Sequence, residues 1–127
     1  MKLKFIDGSK YNLNVKCSIH LTGKLGFSQS AIDSLQLDNN KYVAFATNEE
    51  DKKDLTLYMV VYNEKKEGAF KIVKAGNYYY LNTKKMFDEL GIDYKKKTII
   101  YDISNCDYEG EKIYKLIRRE YDRKQKE

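Results

Sequence analysis

The chain contains no proline, no tryptophan, one histidine and two cysteines among its 127 residues. Because proline is absent, a polyproline-rich linker is excluded, and a chain of this length is expected to form one domain. The two cysteines, Cys17 and Cys106, follow no metal-ligand spacing and are too few for a disulfide scaffold. We therefore predict a single domain over residues 1–127.

Long apolar segments are also missing. No apolar run approaches the roughly 18 residues that a transmembrane helix needs, and residues 1–10 lack the apolar stretch of a signal peptide. These absences predict a cytoplasmic protein with no membrane partner.

Groups that catalyse reactions or hold cofactors are scarce. His20 is the sole histidine, and the alternation of its segment places it on the solvent face of a predicted strand. Cys17 falls on the apolar face, and Cys106 has no histidine in its half of the chain to activate it. No glycine-rich phosphate loop precedes a helix, and the acidic run at 49–54 lacks the spacing and central glycine of a calcium loop. We expect no enzymatic activity, no metal site and no cofactor.

The charge of the chain is positive, with a formal net charge of +5. Residues 1–62 contain eight lysines against seven acidic residues, whereas residues 63–127 contain sixteen lysines and arginines against twelve. One interpretation is a solvated surface whose lysines reflect an AT-rich genome. The other is a surface for a polyanion such as DNA, since positive charge supports association without specifying the partner.

The strongest strand signal lies in residues 11–22, where apolar and polar residues alternate strictly. Met1, Leu3 and Phe5 alternate in the same way, so residues 1–22 are predicted to form an N-terminal β-hairpin. Further strands are predicted at 24–27, 41–47, 55–62, 69–74, 78–81, 98–104 and 112–118. Two helices are predicted at 28–35 and 83–90, the second capped by Asn82 and ended by Gly91. Residues 105–111 are predicted to be a turn, and residues 119–127 a frayed tail.

An internal repeat is the most informative feature of the sequence. A shift of 55 aligns Ile32, Asp33 and Leu35 with Phe87, Asp88 and Leu90, and a shift of 56 aligns Val43 and Phe45 with Ile99 and Tyr101. This recurrence predicts a mostly-β α+β fold. Two pseudo-symmetric strand–helix–strand–strand halves, 20–62 and 75–118, would share one barrel-like core. Coincidence between two generic units remains the alternative.

The segments "QSAIDSLQLDNNKYVAFA" and "TKKMFDELGIDYKKKTIIYDIS" resemble the swapped-hairpin β-barrel of the AbrB/MazE family, here as a tandem repeat in one chain. Members of that family are usually dimers that act as DNA-binding regulators or as antitoxins of toxin–antitoxin pairs. The resemblance implies that the two halves of this chain take the place of the two subunits.

Two functions of different class follow. The first is a small DNA-binding regulator or antitoxin-like module that contacts phosphates through lysines in the turns after the helices. The expected contacts are Lys41 in the first half and Lys95, Lys96 and Lys97 in the second, assisted by Lys84 and Lys85. The second is a protein-interaction or structural accessory domain that binds no nucleic acid. The possible partners of the protein are DNA and another protein, either a toxin or a second copy of the chain.

The tyrosines at 78–80 bear on whether the chain binds nucleic acid. Tyr79 and Leu81 fall on one face of the predicted strand, and Tyr78 and Tyr80 fall on the other. One pair is expected to pack in the core, and the outer pair could stack on the bases of a single-stranded partner.

Overall fold

The computed structural model describes residues 1–7 and 15–123, and most of the regular structure within them is strand. The strands are β1 Lys16–Ile19, β2 Leu25–Phe27, β3 Tyr42–Thr47, β4 Leu57–Tyr62, β5 Phe70–Lys71, β6 Val73–Ala75, β7 Tyr78–Leu81, β8 Lys97–Tyr108 and β9 Glu111–Asp122. The helices are α1 Gln29–Leu35 and α2 Lys84–Glu89. The prediction of a mostly-β fold is therefore confirmed.

The nine strands form one sheet in the order β5-β3-β4-β9-β8-β1-β2-β7-β6, and each recorded pair is antiparallel. The two ends of this order, β5 and β6, are separated in the chain by the single residue Ile72. Ile72 is buried, and its N–H donates to the carbonyl oxygen of Lys41 at 3.1 Å. Because neighbouring residues cannot lie at distant edges of a flat sheet, the sheet must curl until its two edges come close together, as in a nearly closed barrel. The predicted barrel-like core is confirmed.

Helix α1 begins as predicted. Ser28 precedes it in extended conformation, and its hydroxyl accepts a hydrogen bond from the N–H of Ala31 at 3.2 Å. This bond satisfies one of the amides that a helix leaves free in its first turn. The same hydroxyl accepts from the N–H of Lys16 at 3.2 Å, which attaches the helix to β1.

The N-cap predicted for α2 is wrong. The capping position is occupied by Thr83, not Asn82, and the Thr83 side chain makes no capping hydrogen bond. The Thr83 hydroxyl is fully buried and donates instead to the carbonyl oxygen of Gly23 at 3.0 Å. The Thr83 hydroxyl is therefore engaged in a tertiary hydrogen bond and does not cap its own helix. Gly91, with φ of +71°, follows the helix as predicted.

The long hairpin β8–β9 corrects two further predictions. Residues 105–108 belong to β8, and the turn consists of Glu109 and Gly110, with φ of +49° and +80°. Positive φ at both positions suits the tight two-residue turn that matches the twist of the flanking strands. The tail predicted to fray from residue 119 continues β9 to Asp122, where Arg119 is held by the Asp102 carboxylate at 2.6 and 3.0 Å. Residues 124–127 lie outside the described residues.

The predicted N-terminal hairpin does not form as expected. Residues 1–7 contain no strand, so the prediction for Met1, Leu3 and Phe5 is wrong, and residues 8–14 lie outside the described part of the chain. Strand β1 pairs with β2 on one edge and with β8 on the other. Both edges of β1 are therefore taken by strands from elsewhere in the chain. Cys17 of β1 is fully buried, as its alternation predicts.

Candidate nucleic-acid interface

The turn between β1 and β2 packs directly on the start of α2. Gly23 lies in this turn with φ of +83°, and a Cβ placed on it would come within 2.6 Å of Cγ of Lys84. The hydrogen bond from Thr83 to the Gly23 carbonyl joins the same two segments. Lys24 and Lys84, which are 60 positions apart in the sequence, are therefore brought to the same end of the molecule.

The turn after α2 is held to the helix by Asp88. Its carboxylate accepts from Nζ of Lys84 at 2.7 Å and from the hydroxyl of Tyr94 at 2.6 Å. These two hydrogen bonds, that of Lys84 first, lower the pKa of Asp88, and the same carboxylate raises the pKa of Tyr94. Because the ionised carboxylate anchors Tyr94, the position of the adjacent Lys95 is set by a specific contact.

Arg123 connects the end of β9 to this turn. Its guanidinium donates to the carbonyl oxygens of Tyr94 at 3.0 Å and Ile19 at 3.3 Å, and its backbone N–H donates to Lys96 at 3.1 Å. Sequence reasoning missed Arg123 because it assigned the residue to a frayed tail. The alternation of β9 up to Tyr121 is the signal that could have extended the strand toward it.

These contacts gather cations from four separate segments at one end of the barrel. We call this surface the basic end, and it consists of Lys24, Lys84, Lys85, Lys95, Lys96, Lys97 and Arg123. Asp88 pairs with Lys84, and Glu120 lies 3.7 Å from Lys97. In residues 1–7 and 15–123, no carboxylate lies within 4.0 Å of the ammonium groups of Lys24, Lys85, Lys95 or Lys96. Those four ammonium groups are available to phosphates.

Lys41 lies elsewhere. It precedes β3 beside the end of β4, and its Nζ donates to the side-chain oxygen of Asn63. Lys97 begins β8 beside the end of β9. Since β4 and β9 are antiparallel, these two strand ends face opposite directions. The structure thus brings together five of the six lysines predicted as DNA contacts and separates Lys41 from them.

An aromatic cluster adjoins the basic end on the outer face of β2 and β7. Tyr78 and Tyr80 stack with ring centroids 5.6 Å apart, which confirms that they share the outer face. The Tyr78 hydroxyl forms a hydrogen bond with Nε2 of His20, and Nζ of Lys24 lies 4.6 Å from the centroid of the Tyr80 ring. Gly26 makes room for the cluster, since a Cβ there would come within 2.8 Å of Cζ of Tyr78.

His20 is exposed, as predicted. Its contact with Tyr78 was missed because that contact depends on the pairing of β2 with β7. Desolvation lowers the pKa of His20, and Arg123 and Lys24 lower it further. Burial raises the pKa of Tyr78, with a smaller contribution from Tyr80. Both rings are therefore uncharged at neutral pH, and the positive charge here comes from lysine and arginine.

The described residues were also compared with the requirements of a metal site, a membrane-spanning helix and a reactive thiol. No group of three or more His, Cys, Asp or Glu side chains within them could hold a metal ion. Neither of the two helices in residues 1–7 and 15–123 is long and apolar enough to cross a membrane. Burial raises the pKa of the Cys17 thiol, which keeps it protonated and a poor nucleophile.

No protein-family model, curated protein or solved structure matches this chain. The resemblance to the AbrB/MazE family therefore stays a prediction.

Proposed function

We propose that the protein is a small, non-enzymatic, cytoplasmic DNA-binding regulator or antitoxin-like module that contacts DNA phosphates through its basic end. The observation that carries this proposal is the gathering of seven cations from four segments, and four of these cations have no carboxylate of the described residues within 4.0 Å. Lysine–phosphate contacts supply affinity and position the protein, but they convey little sequence information. Binding is therefore expected to be strong at low salt and weakly selective.

We further propose that the barrel is a fused duplication. In each half, a strand, a second strand, a helix and a hairpin follow one another: β1-β2-α1-β3-β4, then β5/β6-β7-α2-β8-β9. Matching strands pair with each other, β2 with β7 and β4 with β9. In addition, β1 pairs with β2 and β8, just as β5/β6 pairs with β7 and β3. This pattern supports the resemblance to an AbrB/MazE dimer whose two subunits are joined in one chain.

The charges of the two halves are unequal even if their strands match. Lys41 stands alone at the position in the first half that corresponds to Lys95, Lys96 and Lys97 in the second. The second half is therefore expected to dominate binding and to give an asymmetric footprint on the duplex.

The test is the salt dependence of binding to a fluorescent DNA duplex, measured by anisotropy between about 50 and about 200 mM NaCl. Changing Lys95, Lys96 and Lys97 together to Gln should reduce the slope of log K against log salt by about 2 to 3, since each phosphate contact contributes about 0.9. The lower figure applies if the ion pair of Lys97 with Glu120 persists on DNA.

A matched control is the triple change of Lys65, Lys66 and Lys71 to Gln. These lysines are exposed and lie outside the basic end, and the control removes the same net charge. An equal loss of slope in both triple variants would show that DNA binding depends on the overall charge of the protein and not on the basic end. Absence of binding by the wild type at about 50 mM NaCl would exclude the DNA function.

The alternative, a protein-interaction domain, is favoured by a different observation. Three apolar side chains of the described residues, Leu55, Leu90 and Ile117, are 54%, 45% and 47% exposed. Leu55 and Leu90 line a common groove. The expected partner is a toxin or a second copy of the chain.

A further inference from the structure

A groove of about 530 Å³ lies between the segment that follows β3 and the end of α2. Its apolar lining consists of Leu55, Leu57, Leu90 and Ile92. Leu57 and Ile92 belong to the buried core, whereas Leu55 and Leu90 remain about half exposed. The groove therefore presents apolar surface, continuous with the core, to a segment from outside.

The rim of the groove is more acidic than basic. It carries the carboxylates of Glu49, Asp51 and Asp54 against the cations of Lys52 and Arg118. The Arg118 guanidinium is already bound by Glu120 at 3.1 Å. Hydrogen bonds from Thr56, with a further one from Asn48, lower the pKa of Asp54 and keep it ionised. An apolar segment that also carries positive charge would complement this rim.

Strand β9, which contributes Arg118 to the groove, has a free edge. Strand β9 continues to Asp122, but its pairing with β4 ends where Leu116 lies opposite Leu57. Among the described residues, no strand pairs with β9 on that side beyond Leu116. Such edges accept extended segments, because their backbone N–H and C=O groups lack partners.

A segment with the required chemistry is present in the chain. Residues 1–6, which we call the N-terminal arm, alternate apolar residues with Lys2 and Lys4. The side chains of Leu3, Phe5 and Ile6 are 67%, 88% and 80% exposed. The arm is therefore not buried on its own chain and carries apolar surface that needs a cover.

We propose that the N-terminal arm of one copy docks in the groove of a second copy and adds to the free edge of its β9. Leu3 and Phe5 pack on Leu55 and Leu90, and Lys2 and Lys4, which alternate with them on the other face of the arm, bring positive charge close to the acidic rim. Two such contacts, exchanged reciprocally, give a closed twofold dimer. None of the groove residues belongs to the basic end, and docking of the arm does not depend on DNA binding.

Sedimentation equilibrium of the full chain tests the proposal. The wild type is expected to be dimeric at tens of µM. The arm variant Leu3→Asp/Phe5→Asp and the groove variant Leu90→Asp should each dimerise at least about 100-fold more weakly, because each loses apolar burial at both contacts. Leu21→Asp is the control, since Leu21 is 59% exposed and lies outside both the arm and the groove. A monomeric wild type, or equal weakening by the control, would overturn the proposal.

Disulfide trapping identifies the contact and its source. With Cys106→Ser as background, a Leu3→Cys chain mixed with a Leu90→Cys chain under oxidised glutathione should give a cross-linked dimer. Replacing the second chain by Leu21→Cys should give none. A single chain with both Leu3→Cys and Leu90→Cys that closes internally, without cross-linked dimer, would show that the arm docks on its own groove. If Leu90→Asp fails to fold, the arm variant, whose changes lie outside the sheet, decides alone.

Discussion

At the scale of single residues, Gly23 allows the β1–β2 turn to approach Lys84 of the basic end closely. Its φ of +83° is one that side chains with a Cβ rarely adopt, and the Lys84 backbone lies within 2.8 Å of where a Cβ would be. Conformation and close approach therefore both require glycine at this position.

We expect Gly23→Ala to lower the free energy of unfolding by about 2 to 4 kcal/mol, from backbone strain plus displacement of Lys84. Gly68→Ala is the matched control, because Gly68 has φ of +82° and nothing within 4 Å of its missing Cβ. It should cost about 1 kcal/mol from strain alone. Urea denaturation measures both values, and equal losses would show that the contact with Lys84 tolerates a methyl group.

His20 provides a pH-dependent residue beside the same surface. Since desolvation and two cations lower its pKa in the folded protein, the unfolded chain binds the proton more tightly. The free energy of unfolding should therefore rise with pH up to about 6.5, and this stability is lost as pH falls through the folded pKa.

An NMR titration checks this directly, since His20 is the sole histidine. Its pKa is expected below the ordinary value of 6.5. Lys24→Gln should move it upward by removing one of the cations, whereas Lys65→Gln should leave it unchanged. A pKa at or above 6.5 in the wild type would mean that the imidazole is solvated and not held against Tyr78.

At the scale of elements, the two helices begin by different means. The hydroxyl of Ser28 caps α1 and also accepts from Lys16, so the start of α1 is stabilised both locally and by β1. The start of α2 depends on Thr83, whose hydroxyl bonds to the β1–β2 turn and not to its own helix. Ser28 and Thr83, which occupy equivalent positions in the two predicted repeats, therefore stabilise the structure through different contacts.

Ser28→Ala should lower the free energy of unfolding by about 1 to 2 kcal/mol, because it removes the cap and leaves the Lys16 amide without its side-chain acceptor. Asn82→Ala should change it by less than about 0.5 kcal/mol, since Asn82 is exposed and is not the capping residue. Thermal and urea unfolding of both variants provide the comparison. A loss of about 1 kcal/mol in Asn82→Ala would show that Asn82 caps α2, as the sequence predicts.

At the scale of the whole molecule, the halves depend on each other for strand pairing. Strand β1 pairs with β8, β2 with β7, β4 with β9, and β3 with β5, and each of these pairs joins the first half to the second. An isolated half would keep its own hairpin but lose the neighbours that close the barrel.

We expect fragments 1–67 and 68–127, divided at the exposed loop after β4, to lack fixed structure when separate. Circular dichroism and the dispersion of amide NMR signals would show it, and mixing equal amounts should restore strand signal if the fragments find each other. Cooperative unfolding of either fragment alone would contradict the shared core and indicate two independent units.

What the sequence determined by itself is local. The alternation around Cys17, the serine before α1 and the glycine after α2 predicted a strand and two helix ends, because period, capping and positive φ depend on near neighbours. The succession of strand and turn patterns along the chain similarly predicted a mostly-β fold. These features require no knowledge of which strands meet.

The tertiary structure decided which strands pair with each other and which side chains therefore meet. Strand β1 pairs with β2 and β8, two partners that its own alternation does not specify, and pairing along β8 extends β9 to Asp122, into the predicted frayed tail. Lys84 and Lys85 came together with Lys24 because β7 pairs with β2, which brings α2 against the β1–β2 turn. The turn with Lys95, Lys96 and Lys97 joined them through the contacts of Tyr94 with Asp88 and Arg123. Lys41 was separated because β4 and β9 run in opposite directions. Edge pairing joins residues that are far apart in the chain, so no local pattern specifies it.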